Sequence, residues 1–181
     1  MEHKVRHKFV HKFTFTSFRK FSAHLMNKKT IAESQTVLSA VMMPLHANHY
    51  GSIHGGTILK LADEAAFVAA TKHARKNVVV VSMDHMEFKH PVNIGDVLTL
   101  SSSIFHVGRT SMDVEVKIQA DKIKEARKVF VGSAFFTLVA LDKKGKPTKV
   151  PGLILKTKEE IKKNKEIKLI RERRIANLRT N

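Results

Sequence analysis

The pattern of apolar and polar positions predicts one long apolar helix among several strands. From Gly56 to about His73, apolar residues cover almost the whole circumference of the predicted helix, which is typical of a helix buried in a core. Elsewhere, apolar and β-branched runs that end at Pro, Gly or Asp predict strands. The predicted strands are residues 36–43, 78–90, 97–107, 112–119 and 129–141.

Short turns connect most of these strands and therefore determine the fold class. Residues 93–96 and 108–110 are both too short to cross over a sheet, so the strands that they join must be antiparallel neighbours. A helix that is apolar on most sides must bury those sides against other elements. We therefore expect an α+β fold, in which one antiparallel sheet wraps around one long central helix.

Apolar and polar residues alternate most regularly between residues 112 and 119. This alternation predicts a strand with one buried and one solvent-exposed face. Met112, Val114 and Val116 alternate with charged residues that include Asp113 and Glu115. We expect these two acids to point to water.

The chain has 181 residues, of which 43% are hydrophobic, and a formal net charge of +17. This length suits one domain. The charge is concentrated at the ends: residues 1–30 hold eight Lys and Arg against one acid, residues 156–181 hold ten against four, and residues 31–155 hold fifteen against eleven. We therefore expect a basic extension over 1–30 that is disordered or removed, a near-neutral domain over 31–155, and a basic, largely solvated helix over 156–181.

Two interpretations of the N-terminal extension remain open. Residues 19–23 (Arg-Lys-Phe-Ser-Ala) are similar to the cleavage context of a mitochondrial matrix presequence, and translation that starts at Met26 is the alternative. The chain has no Cys, which fits a reducing compartment, and no apolar run of membrane-spanning length. We expect a soluble cytoplasmic protein, or a mitochondrial matrix protein if residues 1–21 are a cleaved presequence.

Two acids interrupt the apolar helix. An ionised carboxylate is costly to bury without a partner. Glu64 can pair with Lys60, one helical turn earlier. Asp63 has no such partner in the helix and points about 100° away from Glu64. Asp63 is therefore the better candidate for catalysis.

A glycine pair begins the same helix. Because Gly55 and Gly56 lack side chains, backbone N–H groups there are open to a ligand, and the helix dipole favours negative charge at that end. A carbonyl oxygen bound there would lie near Asp63, which could activate water or attack directly. Asn48 precedes the glycines and could donate an amide hydrogen bond to the same carbonyl.

Several separated motifs resemble, in the same order, those of the hotdog-fold acyl-CoA thioesterases, of the bacterial YciA-like and brain acyl-CoA hydrolase type. The likeness covers about residues 33–152. The motifs are Ala47-Asn48, Gly51-Ser-Ile-His-Gly-Gly-Thr-Ile-Leu59, Asp63-Glu64-Ala65, residues 82–96, Gly108-Arg-Thr-Ser-Met112 and residues 136–142. The resemblance implies a hotdog fold and hydrolysis of an acyl-CoA to a fatty acid and coenzyme A.

The resemblance also implies roles for individual residues. Asp63 matches the catalytic carboxylate, Asn48 matches a loop amide that is supplied across a dimer interface, and His54-Gly55-Gly56 matches the turn that binds the thioester carbonyl. Arg109, Thr110 and Ser111 match a turn near the coenzyme A groove, although they could also form a simple hairpin connection. No cofactor is expected, because coenzyme A is part of the substrate. The partners implied are a second copy at least, with hexamers common in the family.

Two other function classes remain open from the residues. A hotdog hydratase or dehydratase would use a histidine, and His46, His49 and His54 are available. A basic nucleic-acid-binding protein would use the charged ends, but the chain has a single Tyr and no recognition motif. His46 and His49 have no third ligand at a recognisable spacing, so no metal site is predicted.

Overall fold

The computed structural model describes residues 28–84 and 86–179. In this part of the chain no helix combines the length and the apolar character needed to cross a bilayer. The elements are β1 (Lys28–Thr30), α1 (Ile31–Ser34), β2 (Thr36–Val41), a 3₁₀ turn (Pro44–His46), α2 (Gly55–Ala74), β3 (Asn77–Met83), β4 (Glu87–Phe88), β5 (Val97–Val107), β6 (Ser111–Lys122), a second 3₁₀ turn (Ile123–Glu125), β7 (Arg127–Leu141), β8 (Gly152–Ile154) and α3 (Lys158–Arg179).

One antiparallel sheet packs around α2. Its strand order is β2-β5-β6-β7-β3, and β4 also pairs with β7. The predicted α+β architecture, a sheet wrapped around one long helix, is therefore confirmed. The bounds of β5 are the predicted ones, and α2 ends one residue after the predicted position.

Small side chains let α2 lie close to the sheet. The helix contributes alanines to the core that are at most 4% exposed: Ala62, Ala65, Ala66, Ala69, Ala70 and Ala74. The prediction that α2 is buried on almost every side is wrong for one side, because Phe67 is 45% and Val68 39% exposed in the single chain. The opposite side of α2, which holds these alanines, packs in the core.

The strand predicted over residues 78–90 is divided in two. β3 ends at Met83 and β4 begins at Glu87, and both pair with β7. The β3–β7 register shifts between Val80 and Ser82. β4 approaches β7 so closely that a Cβ on Gly132 would collide with the carbonyl oxygen of Glu87. The local sequence does not reveal this division.

The basic helix α3 covers the outer face of β6, so the predicted exposure of the β6 acids is wrong. Asp113 and Glu115 are 5% and 4% exposed. Lys163 of α3 lies 2.8 Å from Glu115. Ile167, which also belongs to α3, is buried. The helix is thus packed on the sheet through its inner side and is not solvated all round.

Arg171 is the main link between α3 and the sheet. Its Nη1 lies 3.0 Å from both Asp113 carboxylate oxygens, and its Nη2 donates to Ser111 Oγ at 2.8 Å. The same carboxylate accepts hydrogen bonds from His106 at 2.7 Å and Thr137 at 2.5 Å. Burial alone would raise the pKa of Asp113, but these hydrogen bonds and the Arg171 charge hold that pKa below its ordinary value.

We expect Arg171→Met to lower the free energy of unfolding by about 3 kcal/mol, because it leaves the buried Asp113 carboxylate without its cation. Urea denaturation measures this change. Lys168→Met is the matched control, because within the described residues Lys168 has one ion pair, with Glu172 at the surface at 3.8 Å. This substitution should change the free energy of unfolding by about 0.5 kcal/mol or less. Equal effects of the two substitutions would contradict the role of Arg171.

The last residues of the predicted N-terminal extension belong to the fold. β1 pairs in parallel with β8, and Lys29 Nζ donates to the carbonyls of Lys72 and His73, at 2.7 Å each, at the end of α2. A cation at a helix C-terminus is stabilising. The expectations for a presequence and for a start at Met26 lie outside the described residues.

A buried histidine joins the same region. His73 is fully buried, and its Nε2 lies 3.0 Å from the Pro151 carbonyl oxygen, so Nε2 carries the proton. Its Nδ1 therefore accepts from the Ser34 hydroxyl at 2.8 Å. Burial lowers the pKa of His73. The imidazole is a neutral structural group that ties α1, α2 and the segment before β8 together.

Stability should fall as the pH drops below about 6.5, the ordinary pKa of histidine. Below that pH the unfolded chain takes up a proton at His73 and the folded chain does not, so the contribution of the neutral ring is complete above that pH and is lost towards the lower folded pKa. Urea denaturation between pH 8 and about pH 5 measures the slope. His73→Gln should make the slope shallower, and an unchanged slope would refute this assignment.

Candidate active site

Asn48 shapes the loop that leads into α2. Its backbone N–H donates to the Ser52 carbonyl at 2.7 Å, and its side-chain oxygen accepts from the Tyr50 N–H at 2.9 Å. Gly51 takes the left-handed conformation, with φ at 84°, which closes the turn. The Asn48 amide nitrogen donates one N–H to Ser52 Oγ at 3.0 Å. Its second N–H has no partner in the part of the chain that the structure describes, so it could donate to a ligand.

Backbone donors are open at the start of α2. Gly55 and Gly56 are the first two residues of the helix, so their N–H groups have no carbonyl partner within it. His54, the residue before them, is exposed and makes no capping hydrogen bond with its side chain. The positive end of the helix dipole lies at the same place. These groups could therefore bind a carbonyl oxygen that gains negative charge.

The packing of the protein does not by itself require either glycine. A Cβ on Gly56 would come no closer than 3.9 Å to the nearest group, and one on Gly55 would be in ordinary contact with the Phe88 ring at 3.4 Å. Neither residue has a positive φ. The missing side chains leave the surroundings of these N–H groups open.

Asp63 lies on the same side of α2 as Gly56, two helical turns later and about 10 Å along the axis. Its side chain is half-buried and makes no hydrogen bond or ion pair with any residue in the described part of the chain. Glu64, by contrast, lies 3.9 Å from Lys60, so the predicted surface pair is confirmed. Of the two acids of α2, Asp63 is therefore the one without a bonding partner in the described part of the chain.

A cleft of about 240 Å³ opens beside Gly55. One wall is the loop before α2 and the other is the segment from Phe88 to Val92. The lining residues are Ser52, Ile53, Gly55, Ile58, Phe88, Lys89, His90, Pro91 and Val92. Neither Asn48 nor Asp63 is among them. In the single chain the glycine cleft and the two predicted catalytic side chains are therefore adjacent features and do not form one enclosed pocket.

Sequence reasoning missed the second wall of this cleft. The segment was predicted as the end of a strand, yet the Val92 carbonyl accepts from the Ile53 N–H at 2.8 Å and so ties the segment to the loop before α2. The sequence signal was Pro91, which limits regular pairing and is common where a strand ends.

The turn at Arg109 lies at the other end of α2. The Arg109 carbonyl accepts from the Val150 N–H at 3.1 Å, and Lys76, just after α2, donates to the Lys149 carbonyl at 2.8 Å. A helix of 20 residues is about 30 Å long. Within one chain, therefore, Arg109 and Thr110 are far from the glycines. Ser111 is buried and bonded to Arg171.

The described histidines and acids lack the grouping that a metal site requires. Within residues 28–84 and 86–179, no three His, Asp or Glu side chains are grouped so that they could hold a metal ion. The His46 side chain instead accepts a hydrogen bond from the Met43 backbone N–H at 3.1 Å.

Comparison with known proteins identifies the family. Residues 50–126 match the Thioesterase superfamily. The uncharacterised acyl-CoA thioester hydrolase YkhA of Bacillus subtilis is 34% identical over 129 residues, which are 71% of this chain and 75% of that protein. The chain belongs to the hotdog-fold acyl-CoA thioesterases.

Solved structures of this thioesterase family extend the likeness to most of the fold. A structure described as an apo-hexameric acyl-CoA thioesterase is 33% identical with a TM-score of 0.80, over 83% of this chain and 97% of that chain. The acyl-CoA hydrolase of Staphylococcus aureus, solved with butyryl coenzyme A and coenzyme A, is 30% identical with a TM-score of 0.75, over 84% of this chain and 96% of that chain. The predicted family, fold and enzyme class are confirmed, and the roles of individual residues stay predictions.

Proposed function

We propose that this chain hydrolyses acyl-CoA thioesters at the amino-terminal end of α2, with Asp63 as the catalytic carboxylate and Asn48 as an assisting amide. The observation that carries the proposal is the pairing, on one helix, of unpartnered glycine N–H groups with a half-buried carboxylate that no other described side chain neutralises. These are the two requirements of acyl transfer: an electrophile activated at oxygen, and a base or nucleophile.

The reaction needs no cofactor in this proposal. The thioester oxygen accepts hydrogen bonds from the Gly55 and Gly56 N–H groups, which stabilise the negative charge of the tetrahedral intermediate. Asp63 either removes a proton from the attacking water or itself attacks the carbonyl carbon, and water then hydrolyses the resulting anhydride. When the intermediate collapses, the C–S bond breaks and coenzyme A leaves as a thiolate that takes up a proton.

Residue spacing in a relative supports these two assignments. The Staphylococcus aureus acyl-CoA hydrolase has been solved with an asparagine replaced by alanine, and separately with an aspartate replaced by alanine. The asparagine precedes the aspartate there by the same number of residues by which Asn48 precedes Asp63 here. The proposal therefore gives Asn48 and Asp63 one shared site.

A second copy of the chain completes that site in this proposal. β3 is an edge strand with consecutive exposed apolar residues, of which Val81 is 56% and Val79 41% exposed. Such an edge favours pairing with another strand. A two-fold axis makes the two copies of β3 antiparallel. Because β3 runs back along α2, the same axis brings the Arg109 turn of the second copy towards the glycines of the first.

Asp63→Asn should lower kcat for thiol release from acyl-CoA by a factor of about 10² or more, because an amide cannot act as the base. Asn48→Ala should lower it by about tenfold to 10²-fold through the loss of one hydrogen bond. A chromogenic thiol reagent measures both rates. Glu64→Gln is the matched control, since this neighbouring acid belongs to the surface pair with Lys60, and it should keep nearly full activity. Full activity of Asp63→Asn would rule out the proposed base.

Val81→Lys should convert the assembly to the 20.4 kDa monomer and abolish thioester hydrolysis, because it places a charge in the β3 pairing edge. Light scattering coupled to gel filtration measures the mass. Val37→Lys, on the opposite edge strand β2 and 61% exposed, should leave the dimer and its activity intact. An unchanged mass for Val81→Lys would exclude this interface.

A further inference from the structure

The cleft beside Gly55 is lined in part by His90, a residue that the proposed mechanism does not use. Ser52 and Lys89 are the other lining residues with side chains that can donate hydrogen bonds. Ile53, Ile58 and Val92 form its apolar part and are buried. An apolar cleft with a few polar groups is the usual form of a small-molecule site.

One hydrogen bond determines the tautomer of the neutral His90 ring. Its Nδ1 lies 2.9 Å from the Phe130 carbonyl oxygen. A carbonyl can only accept, so Nδ1 carries a hydrogen. In the neutral ring, Nε2 therefore has a lone pair and acts as a hydrogen-bond acceptor.

The backbone around His90 is held in place on both sides. Phe88 pairs with Gly132 of β7, and the Lys89 N–H donates to the Val131 carbonyl at 2.8 Å. After Pro91, the Val92 carbonyl is bonded to Ile53, at the opposite wall of the cleft. The imidazole is thus attached to a short segment whose position relative to Gly55 is fixed.

The polar groups of the cleft differ in what they can bind. The Gly55 N–H and the Lys89 ammonium only donate, and Ser52 Oγ already accepts from Asn48. His90 Nε2 is therefore the strongest acceptor that the lining side chains offer. A ligand that fits this set presents a carbonyl oxygen to Gly55 and an N–H group to His90.

We propose that His90 Nε2 binds the pantetheine arm of the acyl-CoA substrate, by accepting a hydrogen bond from the amide N–H nearest the thioester sulfur. This inference rests on the proposed function. The thioester oxygen and that amide are separated by only a few bonds, so the two hydrogen bonds together fix the carbonyl at Gly55. His90 is a binding residue that positions the thioester and takes no proton from it.

Three variants and three thioesters test the proposal. His90→Phe should raise KM about tenfold for butyryl-CoA and for S-butyryl-N-acetylcysteamine, which keeps the amide, and should leave kcat within about twofold. For S-ethyl thiobutyrate, which has no amide, kcat/KM should not change. His90→Gln, which offers an acceptor near the Nε2 position, should restore most of the affinity. His90→Asn can still donate to the Phe130 carbonyl but lacks that acceptor, so it should behave like His90→Phe.

Each alternative result has a definite meaning. An unchanged KM in His90→Phe, an equal loss with the amide-free thioester, or full recovery by His90→Asn would overturn the proposal, the last by showing that only the Phe130 bond matters. Calorimetry with coenzyme A alone should show the same loss of affinity in His90→Phe without any turnover. If the wild-type chain releases no thiol from any of the thioesters, the proposed function itself fails, whereas normal wild-type activity with unchanged KM in His90→Phe rejects the role of His90 alone.

Discussion

The close contact between the alanine-rich side of α2 and the sheet is the constraint on which the site depends. Ala62, Ala66 and Ala69 are completely buried, and the Ser102 hydroxyl bonds the Ala65 carbonyl at 2.8 Å inside the same contact. Protein interiors are packed so densely that a larger side chain there would push the helix outwards. Because the glycines and Asp63 belong to this one rigid helix, such a shift would move the glycine N–H groups and the carboxylate together.

The two ends of α2 differ in whether their terminal backbone groups have hydrogen-bond partners. At the carboxyl end, Lys29 binds the last carbonyls and the buried His73 ring joins two neighbouring segments. At the amino end, the first N–H groups have neither a side-chain cap nor a neighbouring carbonyl within the helix. Capping is worth about 1 kcal/mol, so the fold gives up stability at the end that is proposed to bind the thioester. Departures from local stability of this kind are typical of functional sites.

The apolar pattern was sufficient to predict α2 and most of the long strands, but it did not predict β1, α1, β8 or the division of β3 from β4, and it could not identify polar partners distant in sequence. It gave α2, the bounds of β5 and the Lys60–Glu64 pair, all of which depend on local periodicity. It failed for the β6 acids, because the cation that neutralises Asp113 is Arg171, 58 residues later. The local sequence gives no sign of the hydrogen bond that orients the His90 ring, because the Phe130 carbonyl that accepts it lies 40 residues away. The local sequence singled out Asp63 and Asn48 as candidates, but spacing alone supports them only weakly, and the family resemblance strengthened both predictions.

The parallel pairing of β1 with β8 has a consequence for synthesis of the chain. Lys28 lies opposite Gly152, so the N-terminal strand has no partner until almost the whole sheet has been translated. Contacts this distant in sequence form late, since the chain entropy of closing the loop must first be overcome. While the chain is still attached to the ribosome, the sheet that packs against the alanine side of α2 can be completed once Leu141 has left the exit tunnel, whereas the carboxyl end of α2 lacks the β1–β8 pair until Ile154 has followed.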